Sequence, residues 1–383
     1  MRRVKQLPTP LFLALLTLAM LDRTAVPAEQ DSAQEYSWNL PKGFPKPQVP
    51  AGNPMTAAKV ELGRHLFYDA RMSVNGKASC AACHKQELAF TDGRAVSAGA
   101  TGQLHSRSAM SLVNVAYSAA LTWSDPQMKN LEDQALVPMF GDRPVELGLR
   151  KGDGFLPMVR SDPKYQALFE RAFPADNDRF TVNNVAKALA SFERSIVSAR
   201  SPYDRYHYGG DDGAVSDSAK RGEILFFNQH LSCFRCHGGF NFTDATVSAS
   251  SAGRKIEFHN TGLYNIAGGL SYPAPNMGAY EHSKNAADLG KFKAPTLRNI
   301  AITAPYMHDG SIATLEGVID HYAAGGRTID SGPNAGIGHD NPNKDRLIAG
   351  FPLSRQDRAD LIAFLESLTD EAVLHDPRFA NPW

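Results

Sequence analysis

The chain has few cysteines, no excess of one charge and no long apolar run beyond its first residues. Four cysteines in 383 residues are too few to staple a fold of this size with disulfides. The 40 basic residues are balanced by 40 acidic ones, which excludes the basic excess expected of a nucleic-acid-binding protein. A composition of 43% apolar and 21% charged residues is that of a packed globular chain, and the length predicts two domains.

The first 28 residues have the pattern of an export signal. Arg2, Arg3 and Lys5 precede an apolar run over 11–21, and small residues follow. The run is too short to span a bilayer comfortably, and no later run is longer. We therefore expect a periplasmic protein with no membrane span after cleavage; an N-terminal membrane anchor is the alternative. Cleavage would remove four basic residues and one acidic residue, leaving a net charge of −3.

All four cysteines lie in two copies of a C-x-x-C-H motif. The copies comprise Cys80, Cys83 and His84, and Cys233, Cys236 and His237. In this motif the two thiols form thioethers with one haem and the histidine binds its iron. A redox disulfide does not require the trailing histidine, and the gap between the two pairs is too wide for a zinc ribbon. The sequence therefore predicts two covalently bound c-type haems.

A diverged repeat surrounds these motifs. GRHLFYD at 63–69 and GEILFFN at 222–228 share a glycine, a leucine and a phenylalanine in register, each shortly before a haem motif. Amphipathic helices are predicted over 182–197 and 356–368, near the end of each half. Such a repeat predicts a mainly α fold of two tandem cytochrome c-like domains with very little sheet.

The same patterns predict the organisation of the chain. Stretches rich in glycine and proline predict loops over 245–290 and 325–350, and a junction over 201–216. The expected order is a signal at 1–28, an extension at 29–54, an N-terminal haem domain at 55–205 and a C-terminal haem domain at 206–383.

Further motifs resemble the bacterial diheme cytochrome c peroxidase and MauG family. They are KAPTLRN at 293–299 and TAPYMHDG at 303–310, taken together with the haem motifs. The segments LPKGFPKP at 40–47 and PMFGDRPVELG at 138–148 resemble its MbnH-like branch, which is associated with methanobactin copper-chelator systems. The resemblance implies a reactive high-spin haem on His84 and a six-coordinate haem on His237.

The sixth ligand of the second haem decides the kind of chemistry. Downstream of the second motif, the candidates are Met277, Met307, His308, His321 and Tyr322. The resemblance implies Tyr322, because MauG-like members carry a tyrosine at this distance from the Thr-x-Pro-Tyr motif, where peroxidases carry methionine. A tyrosinate oxygen stabilises ferric and higher oxidation states, whereas methionine raises the reduction potential.

Residues on the reactive side also follow from the resemblance. Glu146 matches the distal glutamate, a carboxylate suited to moving protons between the peroxide oxygens. Gln134 matches a distal glutamine, and Trp123 matches a tryptophan between the haems that helps share charge. His105 is expected to be a loop histidine at the surface; an approach to the reactive haem is the alternative. A buried anchor is the alternative role for Trp123.

The resemblance further implies a calcium ion between the haems. Thr303 and Pro305 match the family's carbonyl ligands, and Ser108 stands where relatives have an amide. Because calcium takes six or more oxygen ligands, waters would complete the site.

Three functions are consistent with these residues. The first is a MauG-like enzyme in which hydrogen peroxide forms a high-valent diheme state that oxidises a tryptophan of a partner protein, toward kynurenine in a copper-binding partner. The second is a cytochrome c peroxidase that draws electrons from a small cytochrome or cupredoxin. The third is a diheme electron carrier without catalysis. Leu231 stands where MauG has a tryptophan that passes holes to its partner, so the exit route must differ.

Overall fold

The computed structural model describes Met1, 36–150, Gly152, 154–250 and 256–383, so the predicted signal lies outside the described residues. The fold is mostly helical with little strand, as predicted. The α-helices are α1 (Ala57–Tyr68), α2 (Leu131–Phe140), α3 (Phe155–Ser161), α4 (Pro163–Ala172), α5 (Val182–Ser195), α6 (Pro202–His207), α7 (Asp217–Phe227), α8 (Tyr280–Ser283), α9 (Leu315–Ala323), α10 (Arg355–Glu366) and α11 (Glu371–His375). Strands β1 (Thr328–Ile329) and β2 (Gly336–Ile337) pair antiparallel.

Short polar side chains set the starts of the main helices. The hydroxyl of Thr56 begins α1 by accepting the backbone N–H of Lys59, and that of Ser216 begins α7 in the same way. Ser354 and Asp357 form a reciprocal capping box at the start of α10. Each cap satisfies an N–H group that the helix itself leaves without a partner.

The repeat seen in the sequence corresponds to two helix crossings of the same kind. Helix α1 packs on α5, and α7 packs on α10. At the first crossing a Cβ atom on Gly63 would overlap the carbonyl oxygen of Ala188, and at the second a Cβ on Gly222 would overlap that of Asp360. The shared glycine is therefore the residue that lets the two helix backbones approach closely in each half.

Replacing Gly63 with alanine is expected to lower the free energy of unfolding by about 1–3 kcal/mol. Alanine favours a helix by about 1 kcal/mol over glycine, but the overlap with α5 outweighs this gain. Thermal unfolding of the holoprotein measures the effect. Gly52→Ala is the control, because a Cβ there meets no heavy atom within 4 Å. Equal stability of the two variants would contradict this account of the crossing.

The structure refines several predicted boundaries. Helix α5 ends at Ser195 instead of Val197, because the chain turns so that the Ile196 carbonyl accepts the Asn114 N–H at 2.9 Å. Helix α10 ends at Glu366, two residues before its predicted end. The predicted loop over 325–350 contains the short β1–β2 hairpin.

The segment predicted as a junction starts with helix α6, which Ser201 and Asp204 cap reciprocally. The end of the chain also packs on the first half. Val373, Leu374 and Phe379 belong to the core around α1 and α5. Contacts therefore run across the predicted domain boundary, which remains a prediction. Within the described residues, no helix combines the length and the apolar character needed to cross a membrane.

Candidate active site

The segment that carries Glu146 is held by a loop that follows the first haem motif. The N–H of Ala100 donates to the Glu146 carbonyl at 2.6 Å, and the Val145 N–H donates to Gln103 Oε1 at 2.8 Å. A Cβ on Gly99 would overlap the Val145 carbonyl, so glycine permits this close approach. The hydrogen bonds to this loop therefore fix the backbone at Glu146.

The carboxylate of Glu146 lies near the first haem-attachment site. Burial raises the pKa of the Cys80 and Cys83 thiols, and the charge of Glu146 adds to both shifts. The Glu146 side chain keeps 33% of its surface exposed, yet the protein packed around the rest of it raises its pKa to about 7. A carboxyl group with this pKa exchanges protons readily at neutral pH, as a general acid–base requires.

The two motif histidines are oriented in the same way. Nδ1 of His84 lies 2.9 Å from the carbonyl oxygen of Phe90, and Nδ1 of His237 lies 3.2 Å from that of Phe242. A carbonyl only accepts, so each Nδ1 carries the proton and each Nε2 keeps a lone pair for iron. Burial lowers the pKa of both rings, which favours the neutral ligand form.

A largely apolar cavity opens beside the second motif. Cys233, Cys236 and His237 line it together with Tyr322 of α9. His308 also lines it, and its Nε2 atom is buried without a hydrogen-bond partner. Thiols, an oriented imidazole and an orphaned polar nitrogen on one apolar cavity fit a covalently attached haem with charged propionates.

Some of the candidates for the sixth ligand line this cavity, and others do not. Tyr322, Met307 and His308 line it, whereas Met277 and His321 do not belong to its lining. Burial raises the pKa of the Tyr322 phenol, so the phenol keeps its proton unless a cation such as ferric iron lies beside it. Tyr322 as the ligand remains a prediction.

Trp123 is positioned by three segments. Its indole N–H donates to the Ser108 carbonyl at 2.9 Å, and its own carbonyl accepts the Lys293 N–H at 2.8 Å. The Ser108 N–H in turn donates to the His308 carbonyl at 2.8 Å. Trp123 also lines the cavity of the second motif, so the tryptophan contacts that haem site while tied to the loop of the first.

Other predicted site residues are placed less tightly. Gln134 lies partly exposed on α2, and in the described part of the chain no hydrogen bond joins it to Glu146. The Thr303 hydroxyl donates to the Ile300 carbonyl at 3.2 Å, and Pro305 follows two residues later. The calcium site of Ser108, Thr303 and Pro305 remains a prediction.

His105, expected at the surface, lies beside Glu146. Its Nε2 is 3.8 Å from Glu146 Oε1, and 32% of its side chain is exposed. The Arg107 N–H donates to Nδ1 at 3.0 Å, so in the neutral ring the proton sits on Nε2, toward the carboxylate. The sequence analysis missed this pair because the two residues are far apart in the chain; the only signal was their common neighbourhood in the expected active site.

Comparisons with known proteins show which family the chain resembles. Residues 57–212 match the family described as di-haem cytochrome c peroxidase. Cytochrome-c peroxidase IdrP1 of Denitromonas iodatirespirans is 35% identical over 87% of this chain and 87% of its own. Methylamine utilization protein MauG of Methylorubrum extorquens is 32% identical over 91% of this chain and 88% of its own.

Solved structures show the same fold. A MauG-like protein associated with microbial copper homeostasis is 45% identical, with a TM-score of 0.89 over 91% of this chain and 99% of its own. The diheme peroxidase BthA from Burkholderia thailandensis shares the fold at 20% identity and a TM-score of 0.65, over 88% of this chain and 95% of its own. With its two haem-attachment motifs in place, the chain belongs to the diheme cytochrome c peroxidase and MauG family of peroxide-using oxidoreductases.

Proposed function

We propose that this enzyme works in the periplasm and uses hydrogen peroxide to oxidise a tryptophan of a copper-binding partner protein, toward kynurenine. The observation that carries the proposal is the presence of Tyr322 on the same cavity as His237. The 45% identity to a MauG-like protein associated with copper homeostasis supports the choice of partner.

The protein's own residues have distinct tasks in this proposal. The bound haems supply the redox chemistry, accepting two oxidising equivalents from each peroxide molecule. Glu146 Oε1 takes a proton from the peroxide and returns it to the departing oxygen. Trp123, held by hydrogen bonds at its indole nitrogen and its carbonyl, provides an oxidisable ring next to the second haem site.

Tyr322→Phe is expected to remove the oxygen ligand of the second haem. Without an anionic oxygen donor, that haem should become five-coordinate in the ferric protein and its reduction potential should rise. Electron paramagnetic resonance of the ferric protein should show loss of the low-spin signal, and the two-haem oxidised state formed with peroxide should disappear.

Tyr306→Phe is the matched control for this variant. Tyr306 lines the same cavity, but its hydroxyl donates to the Ile300 carbonyl at 3.1 Å. We expect this variant to keep the low-spin signal of the unmodified protein. An unchanged two-haem oxidised state and unchanged turnover in Tyr322→Phe would refute tyrosine ligation.

The substrate is tested directly by mass spectrometry. The purified holoenzyme is mixed with hydrogen peroxide and with candidate copper-binding periplasmic proteins. Tandem spectra should locate added oxygen on one tryptophan of a partner, and Glu146→Gln should form little of this product. Peroxide consumption without any modified tryptophan, in the presence of each of these partners, would contradict the proposal.

A second candidate function is reduction of peroxide with electrons from a small cytochrome or cupredoxin. The 35% identity to a protein named cytochrome-c peroxidase favours it. Rapid oxidation of a reduced cytochrome in the same mixture, with no modified tryptophan, would support this second function.

We propose that oxidising equivalents reach the partner protein by a route that differs from the one in MauG. Leu231 lines the cavity beside the second haem motif, and an aliphatic side chain does not carry a hole. Two exposed apolar residues of α7, Ile224 and Phe227, lie in the turns before Leu231.

We also propose a calcium ion at Ser108, Thr303 and Pro305, which elemental analysis of the purified holoprotein tests.

A further inference from the structure

A histidine outside the ligand set is held between two carboxylates. Nδ1 of His259 lies 2.6 Å from Asp345 Oδ2, and Nε2 lies 2.8 Å from Asp244 Oδ2. Both carboxylates accept, so both ring nitrogens carry protons and the ring is an imidazolium. Only 7% of the His259 side chain is exposed, against 20% for each aspartate.

The charge state of this triad follows from its two hydrogen bonds. Burial alone would lower the pKa of His259, but the hydrogen bonds that its ring donates to Asp244 and Asp345 outweigh burial and raise the pKa to about 12. His259 likewise holds the pKa of Asp345 below its usual range. Two carboxylates and one imidazolium leave the triad with a net charge of −1.

The triad adjoins the second haem site. His259 lines the same cavity as His237 and Tyr322, and its Nδ1 lies 3.8 Å from the Sγ atom of Cys236. The Asp244 N–H donates to the Cys236 carbonyl at 2.7 Å, which ties one arm of the triad to the haem motif.

Two cations lie near the triad, but within the described residues neither forms an ion pair with its carboxylates: Arg346 acts on Asp345 through its charge, and Lys293 lies within electrostatic reach of Asp244. Lys293 lines the cavity, but burial lowers its pKa to about 7, and its Nζ donates to the Ala120 carbonyl at 2.6 Å. The ion pairs described for the chain join Asp244 and Asp345 to His259 alone. Each carboxylate therefore adds a negative charge beside the cavity whose hydrogen-bonded ion pair is with His259.

A contribution to the stability of the fold does not by itself explain this triad. Apolar residues of similar volume often serve a core as well as a buried ion pair, because desolvation offsets most of the attraction. A fixed charge in a weakly screened site, however, acts on any neighbouring group whose own charge changes. With a haem attached at Cys233 and Cys236, its iron would be such a group in this cavity.

We propose that Asp244, His259 and Asp345 form a negatively charged triad that lowers the reduction potential of the second haem and so stabilises its oxidised states together with Tyr322. The three residues act through the field at the haem and are positioning residues. The inference requires haem attachment at Cys233 and Cys236, which family membership supplies. It is independent of the identity of the protein substrate.

The test is a spectroelectrochemical titration of the holoenzyme and its Asp345→Asn variant. The amide oxygen of asparagine still accepts the His259 Nδ1 proton, so the hydrogen bond is kept while one negative charge is removed. We expect the ferric–ferrous equilibrium of the second haem to shift about tenfold toward the reduced form, a rise of about 59 mV. The potential of the first haem should stay unchanged.

Three further variants complete the design. Asp345→Glu keeps the charge and should retain the original potential. Asp340→Asn removes an exposed charge from the same loop and should leave the potential unchanged. Asp244→Asn removes the other carboxylate and should raise it, which keeps the test decisive if Asp345→Asn folds poorly. An unchanged or lower potential in Asp345→Asn and Asp244→Asn, or an equal rise in Asp340→Asn, would overturn the proposal.

Discussion

Replacing Glu146 with glutamine is expected to slow the reaction with hydrogen peroxide by about 10²–10⁴-fold, the range that general acid–base groups contribute. Glutamine keeps the size of the side chain but cannot take a proton at Oε1. Stopped-flow absorbance after mixing the ferric holoenzyme with peroxide measures the rate. Haem content and the spectra of both haems should be unchanged, because Glu146 is not a predicted haem ligand.

The pH dependence of the same rate provides an internal check. Burial raises the pKa of Glu146 to about 7, and only the ionised carboxylate accepts a proton from peroxide. The rate of the unmodified enzyme should therefore rise between pH 5 and pH 8, with its midpoint near that pKa. The Glu146→Gln rate should stay flat over this range. The control is Glu87→Gln, an exposed glutamate three residues beyond His84, which should behave like the unmodified enzyme.

Replacing Arg298 with methionine is expected to lower the free energy of unfolding by about 3–5 kcal/mol, because it leaves a buried aspartate without its partner. The Arg298 side chain is fully buried and binds both oxygens of Asp204, at 2.8 and 2.9 Å. It also donates to the Phe240 carbonyl through Nε at 2.9 Å and through Nη2 at 2.6 Å. Urea unfolding followed by haem absorbance measures the loss.

A double variant separates the charge effect from packing. In Arg298→Met with Asp204→Leu, no buried charge is left unpaired, so part of the lost stability should return. Asp204 also accepts the Ser201 N–H and hydroxyl, so recovery should be incomplete. If the double variant lost more free energy of unfolding than the two single variants lose together, the buried-pair account would be contradicted. The exposed pair of Arg160 and Asp178 is the control, and Arg160→Met should cost at most about 1 kcal/mol.

Much of the fold could be predicted because its signals are local. The caps at Ser216 and Ser354 and the apolar periodicity of α5 and α10 are readable within a few turns of helix. The ends of those helices were less predictable, since the end of α5 depends on a contact between Ile196 and Asn114, far apart in the chain. The packing of α11 and Phe379 on the first core had no local signal.

The structure adds a second part of the repeat that the sequence analysis overlooked. Asn114 and Asn299 both adopt a left-handed backbone, at φ values of 58° and 61°, and each precedes a short 3-10 helix. The side-chain amide of Asn114 donates to the Ser198 carbonyl, and that of Asn299 donates to the Ser198 hydroxyl. The two asparagines, one from each half of the repeat, therefore bind the same residue. Sequence comparison alone gave this pair no weight, because asparagine is common in turns.

What the sequence by itself determined is the covalent chemistry. Two thiols and a histidine within five residues define a haem-attachment site wherever the chain folds, because a short peptide sets their mutual distance. The tertiary structure alone decided which distant groups meet at those sites. It placed Tyr322 on the cavity of His237, His105 beside Glu146, and two carboxylates on His259. The physical reason is that the burial and charge of neighbours from remote segments set the pKa of Glu146 and His259, and no local pattern encodes that environment.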